Sequence, residues 1–151
     1  IMCWIKPDAT QSSSWNYILH KFEASVSGYW LAEGYNGNHH VQIQVHHGGS
    51  PAYSRSYTSA ALTPGVWAHV AGAAENGVDV KTFINGVEDS NENTLYADLV
   101  APTGRTAQIG YRNSVQTYKG RMALLKVYNR ALSALEIQDI FDREKHLFGV
   151  W

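Results

Sequence analysis

The sequence predicts an all-β protein, a two-sheet antiparallel sandwich that ends in a single helix. Short runs of alternating apolar and polar residues recur along the chain and are rich in Trp, Tyr, Thr and Val. The pairs Asn36-Gly37 and Asn85-Gly86 mark tight hairpins between such runs. One amphipathic segment, within Val127 to Phe141, carries the boundary signals of a helix.

The strands are predicted between turn signals, and their spacing indicates roughly nine to eleven of them. The segment Tyr53 to Tyr57 is interpreted as a looser stretch, and Trp15 and Trp30 as core residues. The predicted strands are Ile1 to Lys6, Trp15 to Phe22, Gly28 to Glu33, His40 to His46, a strand from Val66, Val78 to Ile84, Ala107 to Tyr111 and Gly120 to Tyr128.

The run "HVQIQVH" has the strictest alternation in the sequence. Side chains of a strand point to opposite faces in turn, so one set faces the core and the other faces water or a ligand. The core set is Val41, Ile43 and Val45, and the other set is His40, Gln42, Gln44 and His46.

The helix begins after a capping box. Ser133 is the predicted N-cap, Glu136 reaches back to it, and Leu132 packs as a staple on Ile137. An apolar stripe continues through Ile140 and Phe141. We expect this helix to lie across one edge or end of the sandwich and to cover apolar surface there.

Composition narrows the function classes. A chain of 151 residues is one ordinary domain, and its single cysteine, Cys3, allows neither an internal disulfide nor a multi-cysteine metal site. The 12 basic and 13 acidic side chains give a net charge of −1 without a basic run, which argues against nucleic-acid binding. No apolar stretch is long enough to insert in a membrane, and "IMCWIKPD" is no signal peptide.

Three segments in order resemble a laminin-G-like jelly-roll domain of the concanavalin A-like lectin/glucanase superfamily. They are "WIKPD", the block from "LTPGVWAHVAG" to "VKTFINGV", and the ending "IGYRN…YKGRMALLKVYNRALSALEI". The resemblance implies a jelly roll that serves as a carbohydrate- or protein-binding module, in a secreted or cell-surface protein. It also implies a rim where many relatives hold calcium.

Two departures from the family pattern matter. An opening strand that usually precedes "WIKPD" is missing, so we expect either a fragment of a longer chain or a single domain over residues 1–151 that lacks this strand. An uncovered sheet edge would favour a homodimer. The closing strand reads Gly120 to Leu125 as "GRMALL", where the family has Gly-x-Ile-Asp-Glu-Val. Because calcium needs carboxylate ligands, no cofactor is predicted.

Catalysis is not predicted. Glu88 and Glu92 would lie about 13 Å apart in an extended chain, too far for a retaining glycosidase. His40 and His46 would lie roughly 20 Å apart on one face, too far to share a metal ion. His69 is interpreted as a packing residue, and no nucleophile or phosphate motif is present.

Two loops combine aromatic rings with amides, the pattern that binds sugars by stacking and by hydrogen bonds to hydroxyls. We therefore predict a non-catalytic binding module for a glycan, held at rim loops or on the concave sheet face. The alternatives are a structural or adhesion domain that binds a protein or itself, and, more remotely, a glycosidase. The predicted site residues are Tyr35, Asn36, Asn38 and His39 in one loop and Tyr111, Arg112, Asn113 and Tyr118 in the other.

Overall fold

A computed structural model shows two antiparallel five-stranded sheets and one C-terminal helix, so the predicted jelly-roll sandwich is confirmed. It describes residues 1–11, 15–23, 27–35, 38–47, 53–91, 104–112 and 116–151, with only the backbone of Glu23 and Tyr35. The strands are β1 (Met2–Pro7), β2 (Asn16–Glu23), β3 (Ser27–Tyr35), β4 (His40–His46), β5 (Tyr53–Tyr57), β6 (Ala68–Glu75), β7 (Asp79–Ile84), β8 (Val87–Glu88), β9 (Gln108–Ile109) and β10 (Gly120–Lys126). Helix α1 (Ala134–Glu144) and a 3₁₀ turn (Lys145–Phe148) follow.

The first sheet has the order β10-β1-β6-β7-β8, and the second has the order β5-β4-β3-β2-β9. Their inner faces meet in an apolar core that includes Cys3, Ile5, Leu31, Ile43 and Val70. The alternation of β4 is confirmed, because Val41, Ile43 and Val45 all join this core. The other face of β4 therefore points outward from the sandwich.

Helix α1 begins as predicted. The Ser133 side chain accepts a hydrogen bond from the Glu136 backbone N–H, and the Glu136 carboxylate accepts one from the Ser133 N–H. The predicted position is wrong, however, because the helix lies on the outer face of the first sheet, not across an edge or end. Ile137 and Leu132 pack there against Met2, Ala71 and Phe83, since these strands present an apolar outer face that only an apolar stripe can cover.

Three local details differ from or sharpen the predictions. Tyr53–Tyr57 is a regular strand, because it completes the ladder of β4, a partner that its own short sequence does not reveal. Asn85 and Gly86 have φ of 50° and 80°, as a type I′ turn requires. The other Asn-Gly pair, Asn36-Gly37, lies outside the described residues.

Among the described helices, none has the length and apolar character needed to cross a bilayer.

Candidate functional site

The outer face of the second sheet, here called the polar face, carries three rows of side chains that are set by strand register. The middle row crosses β9, β2, β3, β4 and β5, with rings on β2 and β3 and amide or guanidinium groups on the other three strands. Its members are Gln108, His20, Trp30, Gln44 and Arg55. The flanking rows are Tyr17, Ala32, Gln42 and Tyr57 on one side and Phe22, Gly28, His46 and Tyr53 on the other.

A chain of hydrogen bonds runs along β4 on this face. The Gln42 amide donates to Gln44 Oε1 at 3.0 Å, and the Gln44 amide lies 2.6 Å from His46 Nε2. Because an amide nitrogen only donates, His46 Nε2 must accept and the proton of the neutral ring lies on Nδ1. Gln42 Oε1 and His46 Nδ1 have no hydrogen-bond partner among the described residues, which leaves the chain of hydrogen bonds unpaired at both ends there.

The two histidines of the polar face are held neutral. Burial is the main cause that lowers the pKa of His20 and of His46 to about 4, with smaller contributions from nearby positive charge, from Arg112 at His20 and from His47 and Arg112 at His46. Gln108 lies beside His20, but neither ring nitrogen of His20 has a hydrogen bond of good geometry. Unpaired buried polar groups cost stability, and they are retained most often where function needs them.

Aromatic rings fill the spaces between these polar groups. His20 lies edge-on to Tyr17 and Phe22, with ring centroids 5.2 and 5.0 Å apart. Phe22 and His46 meet at 4.4 Å across Gly28 of β3. Gly28 has a φ of 116°, and an added Cβ would lie 2.3 Å from the Lys21 carbonyl oxygen, so a side chain is excluded here.

Arg112 comes from the segment after β9 and lies over the β2 side of the polar face. Its guanidinium carbon is 5.6 Å from the centre of the Tyr17 ring and 4.9 Å from that of Phe22. One guanidinium nitrogen, Nη1, donates to the Tyr17 hydroxyl at 3.0 Å. Of the predicted site residues, Arg112 is thus the one placed on the polar face with a described geometry.

His39 and Tyr118, predicted in separate loops, instead approach the same buried carboxylate. His39 Nδ1 lies 2.5 Å from Glu33 Oε1, while the Asn16 amide donates to Glu33 Oε2 at 3.4 Å. Burial raises the pKa of Glu33, and the nearby His39 opposes that rise. Burial and the Glu33 charge raise the pKa of Tyr118, whose hydroxyl is buried without a partner. This cluster points into the sandwich and holds the loop in place.

The remaining predicted site residues are either exposed to solvent or lie outside the described residues. Tyr111 is 46% exposed and bridges to Thr117, and Asn38 is exposed near His39. Asn36 and Asn113 lie outside the described residues, as does the side chain of Tyr35. These positions remain a prediction about the rim.

The residues that β2 contributes to the polar face were not among the predicted site residues. Tyr17, His20 and Phe22 lie on it because a bulge between Tyr17 and Leu19 shifts the register, so simple alternation would assign Tyr17 and His20 to opposite faces. Trp30 is buried, but in a cluster with Tyr17 and Ala32 on the polar face and not in the core between the sheets. The aromatic content of "WNYILHKF" was the available signal.

In the described ranges, no group of three or more His, Cys, Asp or Glu side chains lies close enough together to hold a metal ion. The calcium that the resemblance implies needs six to eight oxygen ligands with carboxylate charge, and β10 supplies apolar residues in that place.

Solved structures with the same fold include sugar-related and toxin domains. One is domain 4 of AbnA, an extracellular GH43 arabinanase from Geobacillus stearothermophilus, in complex with arabinotriose, with a TM-score of 0.67, 25% identity and coverage of 92% of this chain and 64% of that one. Another is the binding domain of Paraclostridial Mosquitocidal Protein 1, with a TM-score of 0.70, 15% identity and coverage of 95% and 36%. A third is the heptameric SAP-like pentraxin of Limulus polyphemus, with a TM-score of 0.62, 17% identity and coverage of 93% and 67%.

The chain therefore spans less than two thirds of the first two of these structures. No curated protein matches its sequence significantly. The family model Laminin_G_3, described as the concanavalin A-like lectin/glucanases superfamily, matches residues 1–138. Because that match covers most of the chain, the protein belongs to the concanavalin A-like lectin/glucanase superfamily.

Proposed function

We propose that this protein is a non-catalytic carbohydrate-binding module and that the polar face, extended by the rim residues Tyr111 and Arg112, is its binding surface. The observation that carries the proposal is the hydrogen-bond chain of β4, set among aromatic rings and unpaired at both ends. The proposal includes an extracellular location, supported by the description of the arabinanase as extracellular.

The physical basis is the amphipathic nature of a sugar ring. Its C–H faces pack on aromatic rings, while its hydroxyls both donate and accept hydrogen bonds. The partly exposed groups of the polar face supply both kinds of contact, with Phe22 and Tyr57 as rings and Gln108 as an amide. The buried layer of His20, Gln42 and His46 orients them. The arabinotriose in the arabinanase domain supports a glycan ligand.

The second candidate is a structural or adhesion domain that pairs with a protein or with itself. The observation in its favour is that β10 lies at the edge of the first sheet, where in the described part of the chain it pairs with β1 alone. Edge strands invite pairing with another chain. A positive φ of 50° at Leu124 interrupts this edge, which disfavours a long flat ladder.

A glycan array followed by isothermal titration calorimetry tests the first proposal, with arabinotriose among the soluble ligands. We expect saturable binding that falls by about tenfold or more in Phe22→Ala, because the ring is lost from the polar face. Leu135→Ala is the matched control. Leu135 is 82% exposed on the helix of the opposite sheet, so its loss should leave binding unchanged.

Three further measurements separate the alternatives. Sedimentation velocity that shows a tight dimer, together with no signal on the array, would favour the adhesion domain. Release of reducing sugar by homogeneous protein would show a glycosidase and contradict the non-catalytic assignment. If glycan binding is as tight in Phe22→Ala as in the unchanged protein, the binding site does not lie on the polar face.

A further inference from the structure

We infer that the glycan bound by the polar face carries a carboxylate, as in a uronic acid, and that the Arg112 guanidinium binds this carboxylate. The inference rests on the proposed carbohydrate function and specifies the chemical class of the ligand. It follows from the charges on the face and from the way Arg112 is held there.

Arg112 brings a positive charge to the described part of the polar face. The three rows contain no aspartate or glutamate, and the Arg112 guanidinium lies above β2. The buried Glu33 of β3 alternates to the inner side of the sheet and is paired with His39. A neutral sugar would leave the Arg112 charge uncompensated, whereas an acidic sugar complements it.

Arg112 differs from the arginines of the helix region in having no carboxylate partner among the described residues. Arg130 pairs with Glu136 and Arg143 with Asp139. The Arg112 guanidinium instead makes one hydrogen bond to the described residues, to the neutral Tyr17 hydroxyl. A guanidinium has five N–H donors, so most of them are left for a ligand.

The setting of Arg112 favours a planar acid. Its guanidinium lies over the Tyr17 and Phe22 rings, which hold it in place without neutralising its charge. A fixed guanidinium fork binds a carboxylate with two parallel hydrogen bonds, and a partly buried position strengthens them. The same rings offer a surface on which the sugar that bears the carboxylate can stack.

Calorimetry with matched pairs of ligands tests this inference. The probes are trisaccharides of galacturonate, glucuronate, mannuronate and guluronate, each beside its methyl ester, which keeps the ring and removes the charge. We expect at least one free acid to bind about tenfold or more tightly than its ester. That preference should shrink at high salt, because the screening of a partly exposed charge increases.

Variants then assign the preference to one side chain. Arg112→Gln should bring the acid-to-ester ratio to within about twofold of unity, and Arg112→Lys should restore part of it, since the charge returns without the fork. Arg121→Gln on the exposed edge of the first sheet removes the same charge and should leave the ratio unchanged. Melting curves for each variant verify that it is folded.

The outcomes separate this inference from the proposed function. If neutral glycans bind and no acid is preferred over its ester, the carboxylate assignment is wrong and the carbohydrate function stands. If a sulfated neutral trisaccharide binds as tightly as the best uronate, the group recognised is not specifically a carboxylate. If no glycan of any kind binds, both proposals fail.

Discussion

The two outer faces of the sandwich have opposite characters. The outer face of the first sheet presents Met2, Ala71 and Phe83 to helix α1, and Trp4 stacks on Phe141 and Phe148 with centroids 5.8 and 4.2 Å away. The Trp4 indole N–H donates to Glu144 at 2.9 Å, so its polar edge is satisfied. Buried side-chain atoms without a partner among the described residues occur on both faces, at His69 beneath the helix and at Gln42, His20 and His46 on the polar face.

Unpaired atoms therefore do not distinguish the two faces, but the apolar packing of a helix on the first face and the larger number of polar groups on the second do. Apolar groups under a helix contribute in proportion to the area removed from water. Polar groups placed among rings contribute little to folding, and they cost stability wherever a hydrogen bond is left unmade. The contrast can be tested by substitutions on each face, ordered here from the largest expected effect to the smallest.

Removal of the central helix contact should have the largest effect. Ile137→Ala deletes a side chain buried between Leu132, Met2 and Phe83, and we expect the free energy of unfolding to fall by about 2–5 kcal/mol. Chemical denaturation measures this loss. The neighbouring Leu135→Ala, which removes an exposed side chain, should change the free energy by less than about 0.5 kcal/mol. Equal losses in the two variants would contradict the described packing.

Acid should destabilise both faces. Burial lowers the pKa of His69, under the helix, and the pKa values of His20 and His46, on the polar face, to about 4. Below the ordinary histidine pKa of about 6.5, the unfolded chain binds protons that the folded protein excludes. Stability should therefore be greatest above this pH and should fall as the pH decreases toward 4.

Thermal melts between pH 7 and pH 4 measure this dependence. His69→Phe should make the slope of melting temperature against pH shallower, because one proton-excluding group is gone. His146→Gln serves as the control, since His146 is solvent-exposed. An unchanged slope in His69→Phe would show that His69 does not contribute to acid destabilisation.

A satisfied and an unsatisfied buried polar residue should respond differently to an apolar replacement. Thr82 Oγ1 donates to the Asp89 carbonyl at 2.6 Å and contacts Ser56 Oγ at 3.0 Å, so Thr82→Val should cost about 1–3 kcal/mol. Gln42→Met removes the hydrogen bond to Gln44 Oε1 but also removes the unpaired Gln42 Oε1, so the two effects offset each other and we expect a cost below about 1 kcal/mol. Denaturant midpoints give both values, and the reverse order would contradict the assignment of unpaired atoms to the polar face.

A modest effect should come from removal of the helix cap. Ser133→Ala removes the acceptor for the Glu136 N–H and should lower stability by about 1 kcal/mol. Ser133→Asp keeps an acceptor at the N-cap and should restore most of that loss. A full loss in both variants would show that the hydroxyl acts through contacts other than the cap.

Local sequence patterns were sufficient to predict much of the fold. The alternation of β4, the Asn85-Gly86 turn and the capping box of α1 each depend on residues within about ten positions, so the sequence predicts them directly. Strand β5 was missed because "YSRSY" becomes a strand through its pairing with β4. The candidate site was predicted only in part, since Arg112 meets Tyr17 across 95 positions of sequence.

The sequence by itself determined the class of the fold and the boundaries of its clearest elements, because a period of two residues and a capping box act over short distances. The tertiary structure decided that the helix covers the first sheet and that the polar face gathers the rings, amides and histidines of the second. It also decided that Tyr17 and His20 share that face. The physical reason is that these outcomes depend on strand register, on a bulge in β2 and on strand order, which arise only when distant segments pair.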